Sequence, residues 1–160
     1  MLFRSMLRMR AIEEKRAIAI SPDNFAHWIS RSFNDPEISM VKHFMKLGAD
    51  INGVEKPSLN RPLHTAVQSG NWTALQVLLD AGADPNVRNA EGHTPLYLLA
   101  RNKPPSEIVE AKPLAAVRLL IAKGANPSIA ANDTWAPLHI ATAHRYTNMA
   151  RLLVDLGANV

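Results

Sequence analysis

One phrase returns along this chain: Gly48-Ala49-Asp50-Ile51-Asn52, Gly82-Ala83-Asp84-Pro85-Asn86, Gly124-Ala125-Asn126-Pro127-Ser128 and Gly157-Ala158-Asn159-Val160. Successive starts lie 34, 42 and 33 residues apart. A second phrase precedes the last three occurrences, as Arg61-Pro62-Leu63-His64, Thr94-Pro95-Leu96-Tyr97 and Ala136-Pro137-Leu138-His139, at intervals of 33 and 42 residues. Two phrases keeping one frame confine the chain to an array of similar units stacked side by side, because a unit this short cannot bury its own apolar face.

Each phrase has a mechanical meaning. The proline suits the first helical position, where its fixed φ is already correct and its missing N–H has no partner to lose. The glycine suits the left-handed position just past a helix end, where a side chain would crowd the backbone. Between these signals lies a second helix with apolar residues in register: Ala74, Leu75, Leu78 and Leu79 match Ala116, Val117, Leu120 and Ile121, then Met149, Ala150, Leu153 and Val154. Such spacing marks one helical face. The same register reaches Met40, Val41, Phe44 and Met45, which predicts an eroded earlier unit with a first helix over about 24–33.

A unit of this length with turn, helix, helix and turn, carrying Pro-Leu-His and Gly-Ala-Asp phrases, resembles the ankyrin repeat. The resemblance covers about Asn24 to Val160 and is similar to small stand-alone members, including bacterial ones. It implies an all-α ankyrin-repeat solenoid of about four stacked helix-turn-helix repeats with short hairpin tips. The repeats fall at about 21–53, 54–87, 88–129 and 130–160, behind a basic N-terminal helix at 1–20 that caps the stack.

The departures from the family pattern are specific. The threonine and histidine that share a hydrogen bond in the family are separated here: Thr94 meets Tyr97, while His64 and His139 follow Arg61 and Ala136. Losing a threonine N-cap costs about 1 kcal/mol, so stacking must carry more of the stability. The third repeat also holds an insertion at 102–113, expected as a loop between its two helices because Pro104, Pro105 and Pro113 resist helix. Within three residues of Gly157 the sequence shows no polar terminal unit. The last repeat is therefore expected to present an incompletely covered side, met either by another chain or by further sequence.

Charge and composition exclude several functions. The net charge of +4 is concentrated in the first sixteen residues, where five Arg and Lys face two Glu. A basic end differs from the basic stripe of a nucleic-acid binder, and no nucleic-acid partner is expected. No apolar stretch is long enough to span a membrane. With no cysteine there is no disulfide, zinc-thiolate site or thiol nucleophile, which fits a reducing compartment such as the cytoplasm. His139 and His144 lie five apart on different helical faces, and no phosphate-cradling loop or serine elbow occurs. No catalytic residue, metal, cofactor or small-molecule substrate is expected.

The resemblance implies a protein-binding module, acting as a specific inhibitor or adaptor, whose concave face is lined by hairpin tips and first helices. Carried over by register, the expected contact residues are Asn60, Gln68, Glu91, His93, Arg101, Asn102, Asp133, Trp135 and His144. Trp135 stands out as a rigid aromatic anchor with a hydrogen-bond donor. Trp72 reads as half-exposed packing and Trp28 as core. One alternative is a membrane- or organelle-associated adaptor using the basic amphipathic N-terminus, and another is a bacterial immunity protein neutralising a toxin.

Overall fold

The computed structural model describes residues 42, 45, 46, 48–102 and 107–159. Three complete helix pairs follow one another: α1 (Pro62–Gln68) with α2 (Trp72–Asp80), α3 (Pro95–Arg101) with α4 (Glu107–Ala122), and α5 (Pro137–Ala143) with α6 (Thr147–Asp155). Ahead of them Lys42, Met45 and Lys46 are helical, and Met45, Ala49 and Ile51 pack on the core of the pairs that follow. The expected helix at 24–33, the segment 1–20 and Trp28 lie outside the described residues. Among those residues the only β element is an isolated bridge from Glu55 to Asn60, so the molecule is an all-α stack.

The first helices open as the proline phrase predicts, with Pro62, Pro95 and Pro137 each at the first helical position. The capping arrangement is divided between repeats. Thr94 Oγ1 accepts the N–H of Tyr97 at 3.1 Å, with no histidine to answer it. In the other two, the histidine ring reaches back instead: Arg61 N–H donates to His64 Nδ1 at 3.0 Å and Ala136 N–H to His139 Nδ1 at 3.1 Å. Each repeat thus satisfies one of the backbone donors a helix start leaves open, where the reciprocal pair would satisfy two.

The glycine phrase resolves into four separate tasks. Gly82, Gly124 and Gly157 take φ near +90° and end the second helices. The following alanines, all buried, close each end by donating to the carbonyl five residues back, at 3.0, 2.9 and 2.9 Å for Ala83, Ala125 and Ala158. Asp50, Asp84 and Asn126 each accept the N–H two residues on at 2.9 Å, forming a turn of their own. The final residue joins neighbours: Asn52 Oδ1 accepts from Asp84 N at 3.1 Å, Asn86 Oδ1 from Asn126 N at 2.7 Å, and Ser128 Oγ from Asn159 N at 3.0 Å. The recurrence is therefore a ladder of side chains stitching each repeat to the next.

The core runs unbroken from Leu63 to Ala158. First helices pack on first helices, α1 on α3 and α3 on α5, and α2 packs on α4. The expected second-helix face is buried at Ala74, Leu75, Leu78 and Leu79 and at Ala116, Val117 and Leu120. The last repeat departs from it. Val154 is 46% exposed where Leu79 is 4% exposed, and Leu152 is buried instead.

The insertion also departs from expectation, because α4 begins at Glu107 and carries Pro113 inside it. Residues 107–113 prolong the second helix rather than forming a loop. Pro113 aligns with Asn71, the N-cap of α2, so proline falls where a repeat of ordinary length would start its helix and lose nothing. The upstream turns add to that start at the cost of one missing bond, to the Val109 carbonyl.

Candidate functional site

The hairpin tips are built on one backbone device. Each is closed by a bond to the carbonyl just ahead of the proline phrase: Glu55 N to Asn60 O at 2.8 Å, Asn89 N to His93 O at 3.1 Å, and Ala131 N to Trp135 O at 2.9 Å. Each needs a positive φ one residue earlier, at Leu59 (53°), Gly92 (78°) and Thr134 (70°). Only Gly92 takes that conformation without strain. Neighbouring tips then bond directly, Ala90 N to Ser58 O at 3.0 Å and Asn132 N to Glu91 O at 3.1 Å.

A chain of polar contacts runs across these tips. Asn60 Nδ2 donates to Gln68 Oε1 at 3.3 Å, and Asn89 Nδ2 donates to Asn60 Oδ1 at 3.1 Å. Asn89 Oδ1 accepts the N–H of Glu91 at 3.1 Å and that of His93 at 2.9 Å. Glu91 Oε2 lies 2.9 Å from His93 Nδ1 and 4.0 Å from an Arg101 guanidinium nitrogen. In the next repeat Asp133 accepts from Tyr97 OH at 3.4 Å and from Trp135 N at 3.1 Å. The His93 and Tyr97 rings stack at 4.2 Å with an interplanar angle of 8°.

Burial sets the protonation of this stacked pair. It pushes the His93 pKa below the ordinary value, against the opposing pull of Glu91, and pushes the Tyr97 phenol up with help from Asp133. The pair is therefore neutral near pH 7. The exposed charges of the surface include Glu91, Asp133 and Arg101, with Arg88 donating to the Gly92 carbonyl at 3.2 Å and to Asn132 Oδ1 at 3.1 Å.

Seven of the expected contact residues are exposed: Gln68, Glu91, Arg101, Asn102, Asp133, Trp135 and His144. The other two, Asn60 at 9% and His93 at 6% exposure, are buried between repeats. The position just before the proline phrase faces the neighbouring tip, and the His93 carbonyl accepts His64 Nε2–H at 2.9 Å there. Trp135 occupies the same position in the last repeat and is 43% exposed, because no described tip lies over it. Its ring meets His139 edge-on at 6.4 Å, and with Thr134, Leu138, Thr142 and Ala143 it lines a concavity of about 520 Å³. His144, the C-cap of α5, takes part in none of the polar contacts above. Trp72 is half-buried, as its place at the start of α2 suggests.

Two members of the polar chain, Asn89 and Tyr97, were not legible as such. Asn89 holds the tip of the third repeat together with Arg88, which donates to the Gly92 carbonyl, and Tyr97 stands where the other two proline phrases have histidine. The only signal was that each breaks the repeat pattern.

The sequence profile described as ankyrin repeats (3 copies) matches residues 26–111 and, overlapping them, 63–160. Mouse palmitoyltransferase ZDHHC13 is 41% identical over 59 residues, 37% of this chain and 10% of that protein. The Lotus japonicus BTB/POZ domain and ankyrin repeat-containing protein NBCL is 46% identical over 61 residues, 38% of this chain and 13% of that one. Human 2-5A-dependent ribonuclease is 32% identical over 74 residues, 46% of this chain and 10% of that protein. The matched segment spans about a tenth of the length of these relatives.

Proposed function

The chain belongs to the ankyrin-repeat family, whose repeats are protein–protein interaction modules, and from that premise we propose that it holds one partner protein on its concave face as an inhibitor or adaptor. The observation that carries this reading is the row of exposed Gln68, Glu91, Arg101, Asn102 and Asp133, drawn from three successive repeats, of which all but Asn102 join polar contacts with the buried residues beneath. Ordering these side chains before binding lowers the entropy a partner must overcome. The mixed signs of Glu91, Asp133 and Arg101 suit a protein surface of alternating charge better than a uniformly anionic nucleic acid.

We read the chain itself as non-catalytic, since its polar groups are spent on joining tips and no nucleophile sits beside a base in them. The enzymatic activities in the relatives' names belong to proteins of which the match covers a tenth. The lack of cysteine supports a cytoplasmic setting. Among the described residues no helix is long and apolar enough to cross a membrane.

Affinity capture with the intact chain, followed by mass spectrometry, should yield one stoichiometric protein. Arg101→Ala should then weaken that complex by about 2 kcal/mol, near thirtyfold, as central arginines of such interfaces do, with the melting temperature unchanged because the side chain is half exposed. An unchanged affinity would move the interface off this face.

A further inference from the structure

The second helices present an outward row at the position six residues ahead of each glycine phrase: Lys42, Gln76, Arg118 and Arg151. All but the half-buried Gln76 are exposed. Several cations elsewhere are engaged. Arg61 donates to the Asn52 carbonyl and Arg88 to the Gly92 carbonyl, Arg101 lies beside Glu91, and Lys123 pairs with Asp80 at 2.7 Å. The side chains of Lys112, Arg118 and Arg151 make no ion pair or hydrogen bond among the described residues.

Beside this row, α2 and α4 enclose a hollow of about 310 Å³, with Trp72, Thr73 and Gln76 on one wall and Lys112, Ala115 and Leu119 on the other. Leu75 and Ala116, both buried, also line it. The prolonged start of α4 supplies part of its second wall, because Lys112 precedes Pro113, which aligns with the N-cap of α2. Arg118 follows Ala115 by three residues and so stands on the adjoining strip of the helix surface. Among the described side chains of these two helices the one acid is Asp80, already held by Gln76 at 2.8 Å and Lys123 at 2.7 Å. The hollow is therefore apolar within and positively charged at its edge.

We propose that this groove docks an acidic segment of a partner protein, one that seats a bulky apolar side chain in the hollow and sets carboxylates against Lys112 and Arg118. It adds a surface on the back of the stack to the concave one. Charge complementarity selects the occupant. The chain's own first sixteen residues, where five Arg and Lys face two Glu, carry the wrong sign, and the same face of a second copy would repel. A nucleic acid wants a continuous basic stripe, and this row is broken by Gln76. A lipid surface wants exposed apolar side chains to insert, and the exposed large ones, Leu59, Trp135 and Val154, lie outside the groove. An apolar anchor in a pocket with charged contacts at its rim is how a protein segment binds.

Panning the intact chain against a display library of random peptides should enrich sequences with a bulky apolar residue flanked by Asp or Glu. A synthetic peptide of the enriched sequence should bind in titration calorimetry, with an affinity that falls as salt is raised. Lys112→Glu and Arg118→Glu should each weaken it at least tenfold, and Ala115→Gln, which fills the hollow without adding charge, should do the same. All three positions are exposed, so the melting temperature should stay unchanged in each variant. Arg101→Ala should leave the peptide bound as before, which separates this surface from the concave face. No enrichment, enrichment without an acidic bias, or an affinity that survives Lys112→Glu and Ala115→Gln would overturn the proposal. Displacement of the peptide by phosphatidylserine vesicles or duplex DNA at equal charge concentration would overturn it too, since the face would then answer to any polyanion.

Discussion

Leu59 and Thr134 hold left-handed backbone conformations that the third repeat assigns to glycine. A side chain in that region costs about 1–2 kcal/mol, part of which glycine returns through its freer unfolded state. Both residues are exposed, so little burial is lost on replacement. Leu59→Gly and Thr134→Gly should therefore each stabilise the fold by about 0.5–1 kcal/mol in urea denaturation. His64 acts in the opposite sense. Burial lowers its pKa from 6.5 to about 4, so the folded state favours the neutral ring. Between those values the unfolded chain binds the extra proton, and stability falls as pH drops from about 6.5, with the loss complete below about 4. A shift of that size corresponds to about 3 kcal/mol. Urea midpoints measured from pH 8 to 4 should follow this curve, and His64→Gln should flatten it to the smaller slope due to His93.

At the scale of elements, α4 is the exception in an otherwise regular array. It spans 16 residues where α2 and α6 span 9, and Pro113 interrupts its ladder. Replacing an internal proline restores a helical bond and removes a clash, so Pro113→Ala should raise stability by about 1 kcal/mol or more. The upstream turns are additions to a helix already anchored by Ala116, Val117 and Leu120. Shortening the 102–113 segment to the ordinary repeat length should leave the melting temperature nearly unchanged, since Ala111 and Lys112 in it are exposed and the anchored face lies downstream. A collapse of the fold on shortening would show that these turns belong to the core.

Across the whole molecule, neighbouring repeats are joined by the side-chain ladder in addition to the apolar core. Asn86 contributes twice, accepting from Asn126 N at 2.7 Å and donating to the Gly124 carbonyl at 2.9 Å. Asn86→Ala should cost about 1–2 kcal/mol. It should also loosen the coupling of the repeats at 54–87 and 88–129, which these two bonds join, seen as a broadened denaturation transition in place of a single cooperative one.

The pattern of phrases alone determined the family, the helix starts at Pro62, Pro95 and Pro137, and the left-handed ends at Gly82, Gly124 and Gly157, because each of these is a local backbone requirement met by one residue type. It also determined which residues stand on tips and first helices. Only the tertiary structure decided which of those face solvent. Asn60, His93 and Trp135 share one position in the frame, yet two are buried and one is exposed, because burial there depends on whether another tip lies over it. Leu79 and Val154 differ for the same reason. A residue's place within a repeat is written in its own segment, whereas its exposure is set by the neighbouring repeat that covers it.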